Sequence, residues 1–255
     1  MRTNSFKRIE DNERSGGLTL KPGSIDQSTL YVRLKNDFLN TFDIVQYQCS
    51  TNVADTLRDS LINSEEFIIE YADGVATALK SSGVPDSTGS NRGYPDDMIT
   101  GRLSYYNILR DVERWNITGF PFVKAVVADY LQLKPKEKVG INSWGNVLRL
   151  DRKIFPHLHF EIPSDWKENK SSVCGNIFLG AEEDTCTTYY LDGEHVDVPN
   201  VYGQVVLFPP NIPHAVRTYK GSGVRVSAAF DVFSPSRDTR GIIDGDNWMY
   251  WTHGE

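Results

Sequence analysis

The chain has 255 residues, of which 39% are hydrophobic and 24% charged, a composition typical of folded globular proteins and not of disordered ones. Its net charge of −7, with Lys and Arg clustered only briefly at 134–138, makes a nucleic-acid partner unexpected. No run approaches the roughly 18 apolar residues of a membrane helix, and residues 1–17 are too polar for a signal sequence, so we expect no membrane association and a cytoplasmic location.

The first half of the chain is predicted to hold a polar arm and then helices. Residues 1–27 are rich in Asn, Ser, Arg, Glu and Gly, which is typical of a flexible arm. Residues 28–136 form a helical or mixed part, in which apolar residues recur near helical spacing over 53–61, 65–79 and 121–133. A cluster of Gly, Pro, Ser and Asn over 81–97 predicts a loop. These helices are expected to pack on the outside of the part that follows.

From residue 137 onward, short apolar or alternating runs are separated by turn residues, a pattern typical of a β-sandwich or barrel. The runs lie over 139–150, 174–179, 185–191, 204–208, 215–219 and 224–233. Their spacing predicts a double-stranded β-helix, or jelly-roll barrel, over 137–235, followed by a C-terminal tail over 236–255. The expected fold class is therefore mainly β with flanking helices, in a single domain overall.

Three of the five histidines fall where such a barrel would bring them together. His157 and His159 are two residues apart, so on a strand they would point to the same side, and His214 opens a distant run. Glu161 continues the alternation. Two or three ligands on one side of an iron(II) ion leave positions for a bidentate cosubstrate and for O2. We therefore predict a non-haem iron(II) site in the mouth of the barrel.

A charged residue stands in one of the apolar runs, in Arg225-Val226-Ser227. An unpaired charge inside an apolar strand would be costly, so Arg225 is expected to have a partner. A guanidinium fork matches a carboxylate in two parallel hydrogen bonds, and Ser227, on the same side of the strand, can supply a third. The pair suits the distal end of a dicarboxylate, and the cosubstrate it suggests is 2-oxoglutarate.

Two further residues are candidates for contacts with the cosubstrate. Asn146 alternates with apolar neighbours on the run before the histidines, so its side chain could face the pocket. Tyr189 is one of two adjacent strand tyrosines, of which one must point inward. An outward polar face for Asn146 and core packing for Tyr189 are equally good interpretations.

Five segments of the last half of the chain follow one another in a fixed order: Ser143-Trp144, Pro156-His157-Leu158-His159, Val206-Leu207-Phe208-Pro209, Pro213-His214 and Arg225-Val226-Ser227-Ala228-Ala229-Phe230. In order and spacing they resemble the iron(II)/2-oxoglutarate oxygenases of microbes and phages. The resemblance implies a double-stranded β-helix enzyme, most often a hydroxylase, that uses Fe(II), 2-oxoglutarate and O2 and releases succinate and CO2. The chain departs from that family where Phe160-Glu161 replaces the usual Pro-Gly and where an insertion covers 163–172.

The ligand set has two alternatives at this stage. The resemblance implies His157 and His159 with His214. Iron(II) chemistry instead favours His159 with Glu161 and His214, since a carboxylate balances part of the charge of the ion. His159 and His214 belong to both sets.

Two other functions remain open alongside the oxygenase. A cupin-type dioxygenase or isomerase would use similar histidines, although other residues stand where the cupin glutamate and glycine are expected. A non-catalytic jelly-roll module that binds a ligand is the second, and neither function needs the carboxylate fork of Arg225. No residue specifies the substrate, and a small polar molecule or an amino-acid or peptidyl side chain is expected only because such substrates are common. The aromatic residues at 248–251 would suit a homodimer, and the three cysteines, without CxxC spacing, fit reduced thiols.

Overall fold

The computed structural model describes residues 31–83, 94–237 and 247–254. The arm predicted over 1–27 lies outside these residues. Helices in the described part are short except for two, α2 (Thr51–Ser81) and α4 (Phe120–Leu131). The others are α1 (Asp37–Asn40), α3 (Ile108–Asp111) and α5 (Trp166–Asn169), with a 3-10 turn at Ile99–Arg102 and a π-helical turn at Trp115–Gly119. No helix among the described residues is both long and apolar enough to cross a membrane.

The strands of the described part form two antiparallel sheets. The larger has seven strands in the order β1 (Tyr31–Leu34), β2 (Val45–Cys49), β8 (Gln204–Phe208), β5 (Ser172–Gly180), β10 (Arg225–Phe233), β3 (Lys138–Leu148) and β11 (Met249–Thr252). The smaller has four, in the order β4 (Ile154–His157), β9 (His214–Val216), β6 (Cys186–Leu191) and β7 (Glu194–Pro199). From β3 to β10 successive strands alternate between the sheets, apart from β6 and β7, which follow one another as a hairpin in the small sheet. This arrangement is the double-stranded β-helix predicted from the sequence.

The two sheets pack face to face through apolar side chains. At one end, Cys174 and Phe208 of the large sheet pack with Tyr189 and Leu191 of the small sheet. At the other end, Leu148 of β3 packs with residues of the small sheet. Because side chains alternate along a strand, residues at positions i and i+2 of β10 reach this interior together. The interior between the sheets is where the histidines are found.

Helix α2 covers the outer face of the large sheet, as expected for the N-terminal helices. The Ser50 side chain caps its first turn by accepting from the Val53 N–H. Its buried residues recur every three or four positions, and the helix contacts β3, β5 and β10. Gly145 of β3 allows this close approach, since a Cβ there would lie 2.6 Å from Leu61 and 2.7 Å from Ile99. Each large side chain buried here contributes about 1.5–3 kcal/mol to folding.

Several elements differ from the sequence-based expectation. The helices predicted over 53–61 and 65–79 are one continuous helix, because 62–64 include no glycine or proline to break it. The N-terminal part also supplies β1 and β2, which extend the large sheet through β8. Residues 249–252, predicted as part of a tail, form strand β11 at the edge of that sheet by pairing with β3. Strands β4 and β7 were missed because β4 contains a proline and β7 is polar.

Candidate metal and cosubstrate site

The structure brings three histidines together between the sheets. His157 is the last residue of β4 and pairs with His214, the first residue of β9, and the ring centroids of the two lie 4.4 Å apart. His159 lies beyond the end of β4, where its backbone N–H donates to the Pro210 carbonyl at 3.0 Å. One ring nitrogen from each histidine lies within 4.8 Å of those of the other two. This separation allows three imidazoles to coordinate a single divalent ion.

The outer nitrogen of each imidazole has a hydrogen-bond acceptor. His157 Nδ1 lies 2.7 Å from the Phe155 carbonyl oxygen, and His214 Nδ1 lies 3.1 Å from the Ile212 carbonyl oxygen. Metal-binding histidines commonly donate one ring N–H to a carbonyl or carboxylate, which fixes the ring and leaves the other nitrogen to coordinate. His159 has the same arrangement, since its Nδ1 lies 2.5 Å from Asp231 Oδ1 while its Nε2 lies 3.4 Å from His214 Nε2. All three rings therefore have the orientation that is common among metal-binding histidines.

Burial keeps the central histidine neutral. The pKa of His214 lies well below its usual value, first because the ring is buried and then because His159 and His157 are close. A neutral imidazole is the form that binds a metal.

The acceptor at the outer nitrogen of His159 is a carboxylate, Asp231, which was not predicted from the sequence. Asp231 Oδ1 lies 2.5 Å from His159 Nδ1 and accepts from Cys174 Sγ at 2.9 Å. The three groups lie close enough to hold an ion themselves, but the two distances are those of hydrogen bonds. The sequence could have indicated this residue, because Asp231 lies on the same side of an otherwise apolar strand as Arg225 and Ser227.

Arg225 is buried without a full set of partners. Its side chain is 0% exposed, and Nη1 donates to Ser227 Oγ at 3.1 Å. Within the described residues, Nε and Nη2 have no hydrogen-bond partner. The guanidinium lies over the Phe178 ring at 5.3 Å, and burial lowers the pKa of Arg225 to about 10. A buried cation with two unused donors is costly, and a carboxylate would satisfy both.

A cavity of about 270 Å³ extends from the three histidines to Ser227, which is the hydrogen-bond partner of Arg225. Its lining includes the three imidazoles, Ser227 and Asp231. The other lining residues are all apolar or uncharged: Tyr94, Thr100, Leu103, Trp144, Asn146, Ile154, Phe155, Pro156, Leu158, Gly175, Asn176, Thr187, Phe208, Val216 and Ala229. A ligand in this cavity could therefore touch the histidines and Ser227 at the same time.

The remaining predicted residues differ in their placement. Asn146 lines the cavity, and its Oδ1 accepts from Thr100 Oγ1 at 2.8 Å. Tyr189 is buried and does not line the cavity; it packs on the Phe208 ring at 5.4 Å and on His214 at 5.9 Å. Glu161 is exposed and lies outside the group of three imidazoles. Of the two ligand sets considered, the structure assembles the one with three histidines.

No protein-family model and no curated protein matches the sequence. The fold is similar to that of SnoK, a non-haem α-ketoglutarate-dependent carbocyclase from nogalamycin biosynthesis, with 12% identity, coverage of 84% of this chain and 93% of SnoK, and a TM-score of 0.50. It is also similar to AviO1 from Streptomyces viridochromogenes Tue57, with 12% identity, coverage of 76% and 91%, and a TM-score of 0.50. Against EvdMO1 the identity is 14% and the TM-score 0.42, and the chain spans 35% of that protein while 51% of this chain is matched. At these identities the similarity establishes the fold, a double-stranded β-helix shared with an α-ketoglutarate-dependent non-haem enzyme.

Proposed function

We propose that the protein is a non-haem Fe(II)/2-oxoglutarate-dependent oxygenase. The observation that carries the proposal is a cavity lined by three imidazoles and by Ser227, whose hydroxyl accepts from the buried guanidinium of Arg225. The imidazoles suit a divalent ion, and the guanidinium suits the far carboxylate of a dicarboxylate. SnoK shares the fold and uses α-ketoglutarate, which is consistent with this assignment.

His157, His159 and His214 would hold the iron, with their outer nitrogens bonded to two carbonyls and to Asp231. Bound iron and 2-oxoglutarate would supply O2 activation, with one oxygen atom entering succinate as CO2 is lost and the other entering the substrate. Arg225 and Ser227 would hold the distal carboxylate of 2-oxoglutarate.

The fit of the guanidinium rests on its unused donors. In the described residues Nε and Nη2 face no acceptor, although burying a donor without a partner costs about 1–3 kcal/mol. Ser227 links the guanidinium to the cavity, because its side chain lines the cavity and its hydroxyl accepts from Arg225. A bound carboxylate would remove this cost and fix one end of the cosubstrate.

The reaction class we propose is hydroxylation of a small polar molecule or of an amino-acid or peptidyl side chain. The described cavity lining contains no Lys, Arg or Glu, and its one acid, Asp231, is bonded to His159. These contacts favour an uncharged group of the substrate next to the metal, since a charged group would lack a partner there.

The deciding experiment is an anaerobic titration of the purified protein with Fe(II) and then 2-oxoglutarate, followed by visible absorption. We expect a weak charge-transfer band only when both are present, and succinate release once O2 is admitted. Metal binding without any response to 2-oxoglutarate would instead favour a cupin-type enzyme. Retention of neither would favour a non-catalytic binding module and end the oxygenase proposal.

A further inference from the structure

We propose that Asp231 is a positioning residue that supplies, through His159, the negative charge that a three-histidine metal site lacks. This inference rests on the metal site of the proposed function. It adds a role for a carboxylate that would not touch the metal.

The first observation is where Asp231 lies. On β10 it pairs with Asn142 of β3 and with Cys174 of β5. It faces the interior because it lies two and four residues beyond Ala229 and Ser227, and all three residues line the cavity. The carboxylate is therefore built into the central strand of the large sheet, whose neighbours on both sides hold its backbone.

The second observation is that the three imidazoles are held differently. The outer nitrogens of His157 and His214 contact backbone carbonyls, each belonging to the residue two positions earlier. Among the contacts between described residues, His159 is the one of the three that reaches a carboxylate, at 2.5 Å from Nδ1. A carboxylate acceptor holds the proton on Nδ1 and makes Nε2 a stronger donor to a metal than a carbonyl would.

The third observation concerns charge. Three neutral imidazoles bring no negative charge to a divalent ion, whereas a two-histidine-one-carboxylate site brings one. Asp231 is the one acidic residue among the described residues lining the cavity, and it lies one hydrogen bond behind His159. We infer that it offsets part of the charge of the ion from this position.

A buried thiol, that of Cys174, donates a hydrogen bond to the Asp231 carboxylate. Cys174 Sγ donates to the same oxygen, Oδ1, that accepts from His159. Cys174 is fully buried, so Oδ1 of the carboxylate has a fixed second donor beside the imidazole N–H. This contact limits the freedom of Asp231 to rotate toward the metal position and act as a ligand.

The test compares Asp231→Asn with a matched control, Asp197→Asn. The Asn at 231 keeps the size and an acceptor oxygen but removes the charge. Asp197 is a strand carboxylate on β7 that is bonded to Thr188 and Arg217 and lies outside the cavity lining. Co(II) titration should give an affinity lowered by roughly 10–100-fold in Asp231→Asn and unchanged in Asp197→Asn. The Co(II) absorption spectrum of Asp231→Asn should retain its intensity, because the number of ligands is the same.

A measurement on the wild-type protein does not depend on any variant folding. In the metal-free protein, histidine ring ¹⁵N spectra should show His159 with its proton on Nδ1, and this signal should move in Asp231→Asn. A proton on Nε2 in the wild type, or an unchanged Co(II) affinity in Asp231→Asn, would overturn the inference. A large change in Co(II) absorption intensity, in either direction, would also overturn it, because a change in coordination would make Asp231 a direct ligand. Failure of the wild-type protein to bind Co(II) would be a different result, since it would remove the proposed metal site itself.

Discussion

Replacement of Arg225 by Leu separates cosubstrate binding from metal binding. Leu keeps much of the volume but removes the charge and every donor. Among the described residues, two donors of the guanidinium, Nε and Nη2, have no partner, and the guanidinium is already buried before any ligand arrives. The free-energy cost of removing the guanidinium from water therefore lowers the stability of the ligand-free protein and does not lower the affinity for the ligand. Most of the energy of the new hydrogen bonds should then appear as 2-oxoglutarate affinity.

The magnitude follows from those two donors. A hydrogen bond to a charged group contributes about 1.5–3 kcal/mol, so two give about 3–6 kcal/mol, or a loss of roughly 10²- to 10⁴-fold in 2-oxoglutarate affinity. Fe(II) affinity should barely change, because a guanidinium is a cation without a free lone pair and Arg225 does not line the cavity beside the three histidines. Arg225→Lys should be intermediate, since an ammonium keeps the charge but not the planar fork.

Stability gives a second readout of the same change. Without ligand, Arg225→Leu should be as stable as the wild type or more so, because a buried cation with unused donors is replaced by an apolar side chain. At 2-oxoglutarate equal to 100 times the wild-type Kd, the wild type gains about 2.7 kcal/mol. A variant with 100-fold weaker binding gains only about 0.4 kcal/mol.

The assay is a 2-oxoglutarate titration of the iron-loaded protein under anaerobic conditions, with thermal unfolding measured in parallel. His214→Ala is the control that should lose metal and cosubstrate together. Unchanged 2-oxoglutarate affinity in Arg225→Leu would refute the assignment and return Arg225 to strand packing. Loss of iron affinity in the same variant would show that the two functions are not separate.

Three other outcomes are expected. His214→Ala should abolish iron retention, measured by metal analysis after desalting, while far-UV circular dichroism shows the fold retained. Glu161→Ala should leave iron retention unchanged and His157→Ala should abolish it, since the exposed Glu161 lies outside the group of three imidazoles. The opposite pattern would favour the ligand set of His159, Glu161 and His214. Burial alone would raise the pKa of Glu137, but hydrogen bonds from Arg237 and other groups lower it overall. The stability that Glu137 contributes is therefore complete above its pKa in the unfolded chain, near 4.5, and is lost as the pH falls through its lower pKa in the folded protein. Glu137→Gln should cost about 3 kcal/mol at neutral pH and flatten this acid dependence in urea unfolding measured from pH 2 to 7.

The sequence by itself predicted the barrel because most of its strands are visible as short local patterns of apolar residues. Runs such as 204–208 and 224–233 are apolar and bounded by turn residues, and they coincide closely with β8 and β10. The polar arm, the function and the ligand residues were predicted from composition, spacing and resemblance, and these remain predictions. Strand β11, which was missed, is four residues long and is a strand because β3 supplies its hydrogen bonds.

The arrangement around the metal site was decided by the tertiary structure. Sequence spacing placed Glu161 and His157 equally well beside His159, because side chains two residues apart share a side only while the chain stays extended. The chain leaves the strand after His157, so Glu161 lies at the surface. Asp231 comes to His159 from 72 positions along the chain, across the barrel, and the two donors of Arg225 lack partners only once the strands around it have packed. Contacts between distant strands depend on sheet pairing and packing, so the sequence alternation of β10 can mark Asp231 as facing inward but cannot identify His159 as its partner.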